Sequence, residues 1–306
     1  MNIVLLDAVT FGDTDLRGFD DLGAVIVYQT TNPEELDERI ADADVIVTNK
    51  VVITAEAMQK AKKLNLICIA ATGMNNVDLE AAKKCGIEVR NVAGYSTNSV
   101  VQHTFSMLFY LIGHSRYYDE AVKNGSWSKS GVFTDVSHPF FEISGKKWGV
   151  IGLGTIGRKV AVLAKAFGAD VSYFSTSGRN LDSEFNSATL EELLKESDII
   201  TIHAPLNNAT LNLLNHRTMS KCKDGVVILN LGRGGIINEA DAAMLLDEKD
   251  ICFGLDVLSH EPIPQNHPLL HVKNQDRLYI TPHIAWTSKE ARDTLIASVV
   301  ENIRSL

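Results

Sequence analysis

Three segments late in the chain each carry a polar group that could do proton or carboxylate chemistry. ILNLGRGGIINE sets Arg233 among glycines, GLDVLSHEP carries Asp256 and Glu261, and TPHIAW sets His283 directly after a proline. A guanidinium grips a carboxylate through two parallel hydrogen bonds and polarises a carbonyl beside it. An imidazole delivers or removes a proton near neutral pH, and a carboxylate on its other ring nitrogen fixes its tautomer. Together they suit reduction of a carbonyl next to a carboxylate, where alkoxide charge builds and a proton must arrive. Singly, each has an ordinary alternative: a solvated loop charge for Arg233, a turn cap for His283, a helix-start acid for Glu261. What joins them is that each follows an apolar run of strand type, and ligands of open parallel sheets bind beyond the carboxyl ends of the strands.

A hydride source is written upstream. WGVIGLGTIGRKVAVLAKAFGADVSYFS places Gly152, Gly154 and Gly157 in G-x-G-x-x-G register, after the strand WGVI and at the start of a helix ending at Gly168, with the strand DVSYF beyond. Such glycines allow a tight turn, close approach of backbone to a pyrophosphate, and close helix–strand packing. The N–H groups of Thr155, Ile156 and Gly157 at the helix start suit the anion. The second strand runs into Ser175, Thr176, Ser177, Gly178, Arg179 and Asn180, with no carboxylate for a ribose. Hydroxyls near a guanidinium tolerate or bind a 2′-phosphate, so NAD and NADP both stand as coenzymes.

The elements that must hold these groups follow from rhythm. NIVLLD, AVIVYQ, DVIVTN, NLICIA and IEVRNV alternate with charged amphipathic stretches, and a second series begins at KKWGVIGLG and continues through DIITIHA, GVVILNL, CFGLDV and LYITPH. Ile/Val runs separated by helices indicate βαβ units and parallel sheets buried on both faces. The 306 residues amount to about two domains. The expectation is an α/β protein of two doubly wound parallel-sheet domains: a flavodoxin-like substrate domain from residues 1–97 plus 287–306, and a Rossmann-type NAD(P)-binding domain over 98–286. Residues 98–123 carry Val100, Val101, Thr104, Phe105, Leu108, Phe109 and Ile112 at spacings near three and four, which predicts one long helix. The stretch after it reads as an extended arm whose Trp127, Phe133, Phe140 and Phe141 need a cover; a homodimer supplies one.

Composition narrows the classes further. With 38 acids against 29 bases, the net charge of −9 disfavours nucleic acid and anionic membranes. No run approaches the ~20 apolar residues of a membrane span. Cys68, Cys85, Cys222 and Cys252 are scattered, which suits a reducing cytoplasm. No metal motif appears: His267 and His271 flank Pro268, which argues against a shared helical face, and they read as loop residues. His103 and His114 read as packing or surface residues of the long helix.

Taken together, GLGTIGR, LNLGRGGIINE, LDVLSHEP and TPHIAW resemble the signatures of the D-isomer-specific 2-hydroxyacid dehydrogenases, particularly the glycerate, hydroxypyruvate and glyoxylate reductase branch, over nearly the whole chain. The resemblance implies that Arg233 binds substrate, that His283 is the acid/base and that Glu261 is its partner. It implies that Asp256 meets the nicotinamide carboxamide, that Val100 faces the nicotinamide, that Leu231 and Gly232 lie beside the coenzyme, and that Ala204, Pro205 and Thr210 of HAPLNNAT lie on its adenosine side. ATGMNNVDL resembles the substrate loop, whose Gly73 and Met74 N–H groups would meet a carboxylate. NAD-preferring members carry an acid where Ser175 stands. The reaction implied is hydride transfer between a nicotinamide and a small 2-keto or D-2-hydroxy acid. Formate oxidation is disfavoured by Glu261, which is Gln in formate enzymes. Phosphite oxidation and a dinucleotide-sensing, corepressor-like scaffold stay open.

Overall fold

The Ile/Val runs of the N-terminal third form five strands in the computed structural model, which describes residues 1–306: β1 (Asn2–Leu5), β2 (Ala24–Val27), β3 (Val45–Thr48), β4 (Leu66–Ile69) and β5 (Glu88–Asn91). They lie parallel in the order β2-β1-β3-β4-β5. β3 and β4 are buried at every residue, so they show no apolar–polar alternation, as expected of strands covered on both faces. Helices Pro33–Ile40, Ala55–Lys60 and Leu79–Cys85 cover one face with Leu36, Ile40, Met58 and Ala82. The other face packs Phe11 and Phe19 with Leu295, Ile296, Val299 and Ile303 of the C-terminal helix Lys289–Arg304. Side-chain caps start these helices: Thr54, Asp78 and Ser288 accept from the N–H groups of Ala57, Ala81 and Ala291. One compact unit is thus Met1–Ser96 with Trp286–Leu306, and the other is Thr97–Ala285.

The second unit carries β6 (Lys147–Ile151), β7 (Asp170–Phe174), β8 (Asn186–Ser187), β9 (Ile199–Ile202), β10 (Val226–Asn230), β11 (Ile251–Leu255) and β12 (Leu278–Ile280), all parallel, in the order β12-β11-β10-β9-β6-β7-β8. Strand order reverses between β6 and β9, the switch point of a doubly wound sheet. β8 escapes the apolar pattern because it is two polar residues long.

Two expectations are corrected. The long helix of residues 98–123 is two helices, Thr97–Ile112 and Ser115–Lys123, because His114 turns left-handed at φ 45° just after Gly113. The apolar stripe stops at Ile112, and Ser115–Lys123 buries no residue. The arm after it is not wholly extended: Ser126–Ser130 is a short helix. Phe141 packs against the core, whereas Phe133 stays 90% exposed. No helix is long and apolar enough to cross a membrane.

Candidate active site

The glycine turn joins β6 to the helix Thr155–Ala166, and each of its glycines has a separate reason. Gly152 sits at φ +91°, and a Cβ there would lie 2.8 Å from the Ala204 nitrogen. A Cβ on Gly157 would lie 2.1 Å from the Gly152 carbonyl oxygen, so helix and turn touch through backbone. A Cβ on Gly154 would meet nothing within 4 Å; no packing demand explains it, and what it keeps open is approach from outside. Arg158 is the first helical N–H with an intrahelical acceptor, Gly154 O at 2.9 Å. The N–H groups of Thr155, Ile156 and Gly157 precede it and are left for an anion.

Nearby strand ends add polar atoms that nothing in the chain satisfies. The Ser175 hydroxyl, after β7, and both ring nitrogens of His203, after β9, are shielded and lack hydrogen-bond partners. Burial pushes the His203 imidazole down to about 3, so the ring is neutral and has one donor and one acceptor to spare. Buried polar atoms without partners are rare in native proteins, and a dinucleotide rich in hydroxyls and phosphate oxygens is the kind of ligand that removes the deficit. Thr176 is half-buried and Arg179 is exposed. Neighbouring Arg158 pairs with Asp182 rather than with a free site.

Thr210 departs from the role its motif implied. It has no exposed surface; its hydroxyl donates to Pro205 O at 2.7 Å and accepts from Asn207 N–H at 2.8 Å. It shapes the Ala204–Pro205 loop and offers no surface to a ligand. Leu231 and Gly232 follow β10, and a Cβ on Gly232 would lie 2.9 Å from Ala204 O. Val100 is buried in the core on the helix Thr97–Ile112.

Arg233 is held by its backbone, and its guanidinium meets no acid of the chain. Asn230 uses its amide twice, donating to Arg233 O at 2.9 Å and accepting from Gly232 N–H at 3.1 Å. The guanidinium donates to Gly232 O at 2.8 Å, and no carboxylate of the chain pairs with it. A half-buried arginine without an internal acid is a natural clamp for an external carboxylate. Its turn packs closely: a Cβ on Gly234 would lie 1.9 Å from the Leu258 carbonyl carbon.

Leu258 belongs to the loop that carries Glu261. The Glu261 carboxylate accepts from Leu258 N–H at 2.9 Å and meets His283 Nδ1 at 2.7 Å. An ionised Glu261 can only accept, so His283 carries a proton on Nδ1 and turns Nε2 to other work. His283 lies at φ 54°, a region uncommon for a residue with a side chain, and its own N–H donates to Thr281 O at 2.9 Å. Asp256, 1% exposed, braces this turn: it accepts from Thr281 Oγ at 2.7 Å, from Ile284 N–H at 2.8 Å and from Ala285 N–H at 2.9 Å. The residue read as a coenzyme contact is thus first of all a brace for the histidine.

Other supporting residues escaped the motifs. Glu239 is buried and accepts from Ser259 N–H at 2.6 Å, Ser259 Oγ at 2.8 Å and His267 Nε2 at 3.0 Å. His267 is therefore more than a loop residue; its Nδ1 also accepts from Leu269 N–H at 3.3 Å. An acid at a helix start is the only local signal for Glu239, and nothing local marks His267. Gly73 and Met74 stand in the first unit, in the loop after β4, where Thr72 Oγ donates to Val92 O at 3.0 Å. No group of three or more His, Cys, Asp or Glu side chains is placed to share a metal ion.

Known proteins resemble this chain in sequence and in fold. Residues 105–285 match the NAD binding domain of the D-isomer specific 2-hydroxyacid dehydrogenases. The chain is 38% identical to a hydroxypyruvate reductase of Blautia hydrogenotrophica, over 99% of this chain and 96% of that one. It superposes with TM-score 0.85 and 28% identity on an acyclic imino acid reductase in complex with NADPH and D-Arg, covering 100% of this chain and 96% of that one. With D-lactate dehydrogenase from Aquifex aeolicus, complexed with NAD and lactic acid, the TM-score is 0.86 at 25% identity, over 100% and 95%.

Proposed function

The chain belongs to the D-isomer-specific 2-hydroxyacid dehydrogenases, and from that premise we propose that it reduces hydroxypyruvate or glyoxylate to the corresponding 2-hydroxy acid. The observation that carries this reading is the 2.7 Å contact of Glu261 with His283 Nδ1, together with Arg233 left without an acid of its own. The Arg233 guanidinium receives the substrate carboxylate and draws electron density from the adjacent carbonyl. His283 holds a proton at Nε2 and releases it to the oxygen as negative charge grows there; Glu261 keeps the other proton on Nδ1 and stabilises the charged ring beforehand. The reduced coenzyme, NADH or NADPH, would supply the hydride when bound and leave as NAD or NADP. Thr155, Ile156 and Gly157 offer N–H groups to its pyrophosphate, and Ser175 and His203 offer polar atoms to the rest. Gly73 and Met74 are assigned backbone N–H contacts to the substrate carboxylate on the family pattern. Hydroxypyruvate is favoured by the hydroxypyruvate reductase relative.

The same reading makes the protein a homodimer. Val101, Phe105, Phe109, Val162, Leu163 and Phe167 line an apolar groove of about 730 Å³, and Phe133 and Phe140 stand 90% and 68% exposed. A second copy is the simplest cover for such surface. A cytoplasmic setting accords with four free cysteines, of which burial pushes Cys68 and Cys222 up to about 12.

The test is loss of nicotinamide absorbance at 340 nm with a panel of 2-keto acids and both reduced coenzymes. Turnover fastest with hydroxypyruvate or glyoxylate is expected. In His283→Ala, kcat falls by at least ~10²-fold while coenzyme affinity persists, since general acid catalysis contributes about 10²–10⁴. A wild-type protein inert to every keto acid, or a fully active His283→Ala, overturns the assignment.

A further inference from the structure

The helix Thr97–Ile112 holds the His283 turn at two points on one face. The Ser99 hydroxyl donates to Ala285 O at 2.6 Å. One helical turn along, His103 Nε2 lies 3.1 Å from Thr281 Oγ. The direction of this second bond follows from its neighbour. Thr281 has one hydroxyl proton and gives it to Asp256 Oδ1 at 2.7 Å, so toward His103 its oxygen can only accept. His103 therefore carries a proton on Nε2. A one-way chain of donors runs from His103 to Thr281 to Asp256, and Asp256 also takes the Ile284 and Ala285 N–H groups directly after His283.

We propose that His103 is a positioning residue for the reaction: through Thr281 and Asp256 it holds the His283 turn in the left-handed conformation that aims the imidazole. The inference rests on His283 being the proton donor of the proposed function. Its physical basis is the environment of Asp256, a carboxylate 1% exposed with no lysine or arginine partner. Such a charge depends on every donor within reach. The His103 ring nitrogen also lies 3.7 Å from Asp256 Oδ1. Burial lowers the His103 imidazole against the upward pull of Asp256, which favours a neutral ring that keeps its single proton for Thr281. The left-handed turn is a conformation that surrounding structure must enforce, and this network and Ser99 are what enforce it.

The experiment compares His103→Leu, His103→Gln, Thr281→Val and the double variant His103→Leu/Thr281→Val with the wild type. Each is measured by steady-state kinetics, by fluorescence titration with NADH and NADPH, and by ¹⁵N NMR of labelled histidine rings. A leucine fills the space without a donor, whereas a glutamine restores an N–H at similar reach. In His103→Leu, kcat falls between about tenfold and a hundredfold, the scale of a reacting group displaced by up to an ångström, with keto-acid KM and coenzyme Kd within about threefold. His103→Gln recovers most of the loss. Thr281→Val shows a similar fall, and the double variant loses no more than the worse single one, because both break one chain. The His283 ring resonances move in His103→Leu and return in His103→Gln, and the His103 ring is protonated on Nε2. Wild-type kcat with unmoved His283 resonances in His103→Leu overturns the proposal, as do additive losses or a proton on His103 Nδ1. The NMR arm decides the positioning role even if no keto acid is turned over, a result that would count against the proposed function alone.

Discussion

Gly234→Ala is a one-methyl change that should nearly abolish activity. The new Cβ would stand 1.9 Å from the Leu258 carbonyl carbon, 2.0 Å from its oxygen and 2.3 Å from the Ser259 nitrogen. All three are backbone atoms, so no side chain can swing aside. Non-bonded carbons rest ~3.5–4.0 Å apart, so the Arg233 turn and the Glu261 loop must separate by ~1.5 Å or more. The displaced loop carries Leu258 N–H, which holds the Glu261 carboxylate at 2.9 Å, and Ser259, whose N–H and hydroxyl are tied to Glu239 at 2.6 and 2.8 Å. Overpacking of this kind costs ~1–3 kcal/mol, mostly seen as stability. At roughly 2–4 °C per kcal/mol for a unit of this size, Tm should drop by several degrees. Misplacing a carboxylate–imidazole pair by an ångström should lower kcat/KM by ~10²-fold or more. The glycine turn at β6 is untouched, so coenzyme Kd should hold. The assays are keto-acid kinetics at 340 nm, thermal unfolding followed by circular dichroism, and coenzyme titration by fluorescence. Gly154→Ala is the control with the opposite pattern: its Cβ meets no protein atom within 4 Å, so folding should cost no more than ~1 kcal/mol for the altered helix cap while coenzyme binding weakens. Wild-type kinetics in Gly234→Ala would refute the claim that the two loops are locked in register by this contact.

Three further outcomes are expected. Arg233→Lys keeps the charge but loses the two-pronged geometry, so KM for keto acids should rise strongly and kcat fall; unchanged kinetics would remove Arg233 as the carboxylate clamp. The wild type should use NADPH with kcat/KM within about tenfold of NADH, a gap of ~1.4 kcal/mol, and Ser175→Asp should shift preference toward NADH by repelling the 2′-phosphate; an unmoved ratio at matched salt would show that position 175 does not face the ribose. Light scattering at micromolar concentration should report twice the 33.5 kDa chain mass, and a monomer would leave Phe133 and Phe140 without their proposed cover.

Much of the fold was legible in the sequence because its signals are local. An Ile/Val run such as Val45–Thr48 must be buried on both faces wherever it lies, and its flanking amphipathic stretches announce the helices that do the burying. The glycine turn was equally legible, since strand, turn and helix are consecutive in the chain, and Arg233, Glu261 and His283 stood out as candidates because each follows a strand of the sheet. What the sequence could not determine is which distant groups meet. The break after Ile112 depends on His114 adopting a left-handed conformation that a stretch of helix-forming residues does not advertise. Thr210 sits in a coenzyme-type motif yet is wholly buried, because its hydroxyl closes its own loop. His103 and Thr281 are 178 residues apart, and Glu239 and His267 are 28 apart. Hydrogen bonds act over about 3 Å, so such pairs exist only after packing of the surrounding elements has brought them within reach. Residue type and local spacing therefore marked the groups that could react, whereas tertiary packing decided which of them are braced, which are free and which way each proton points.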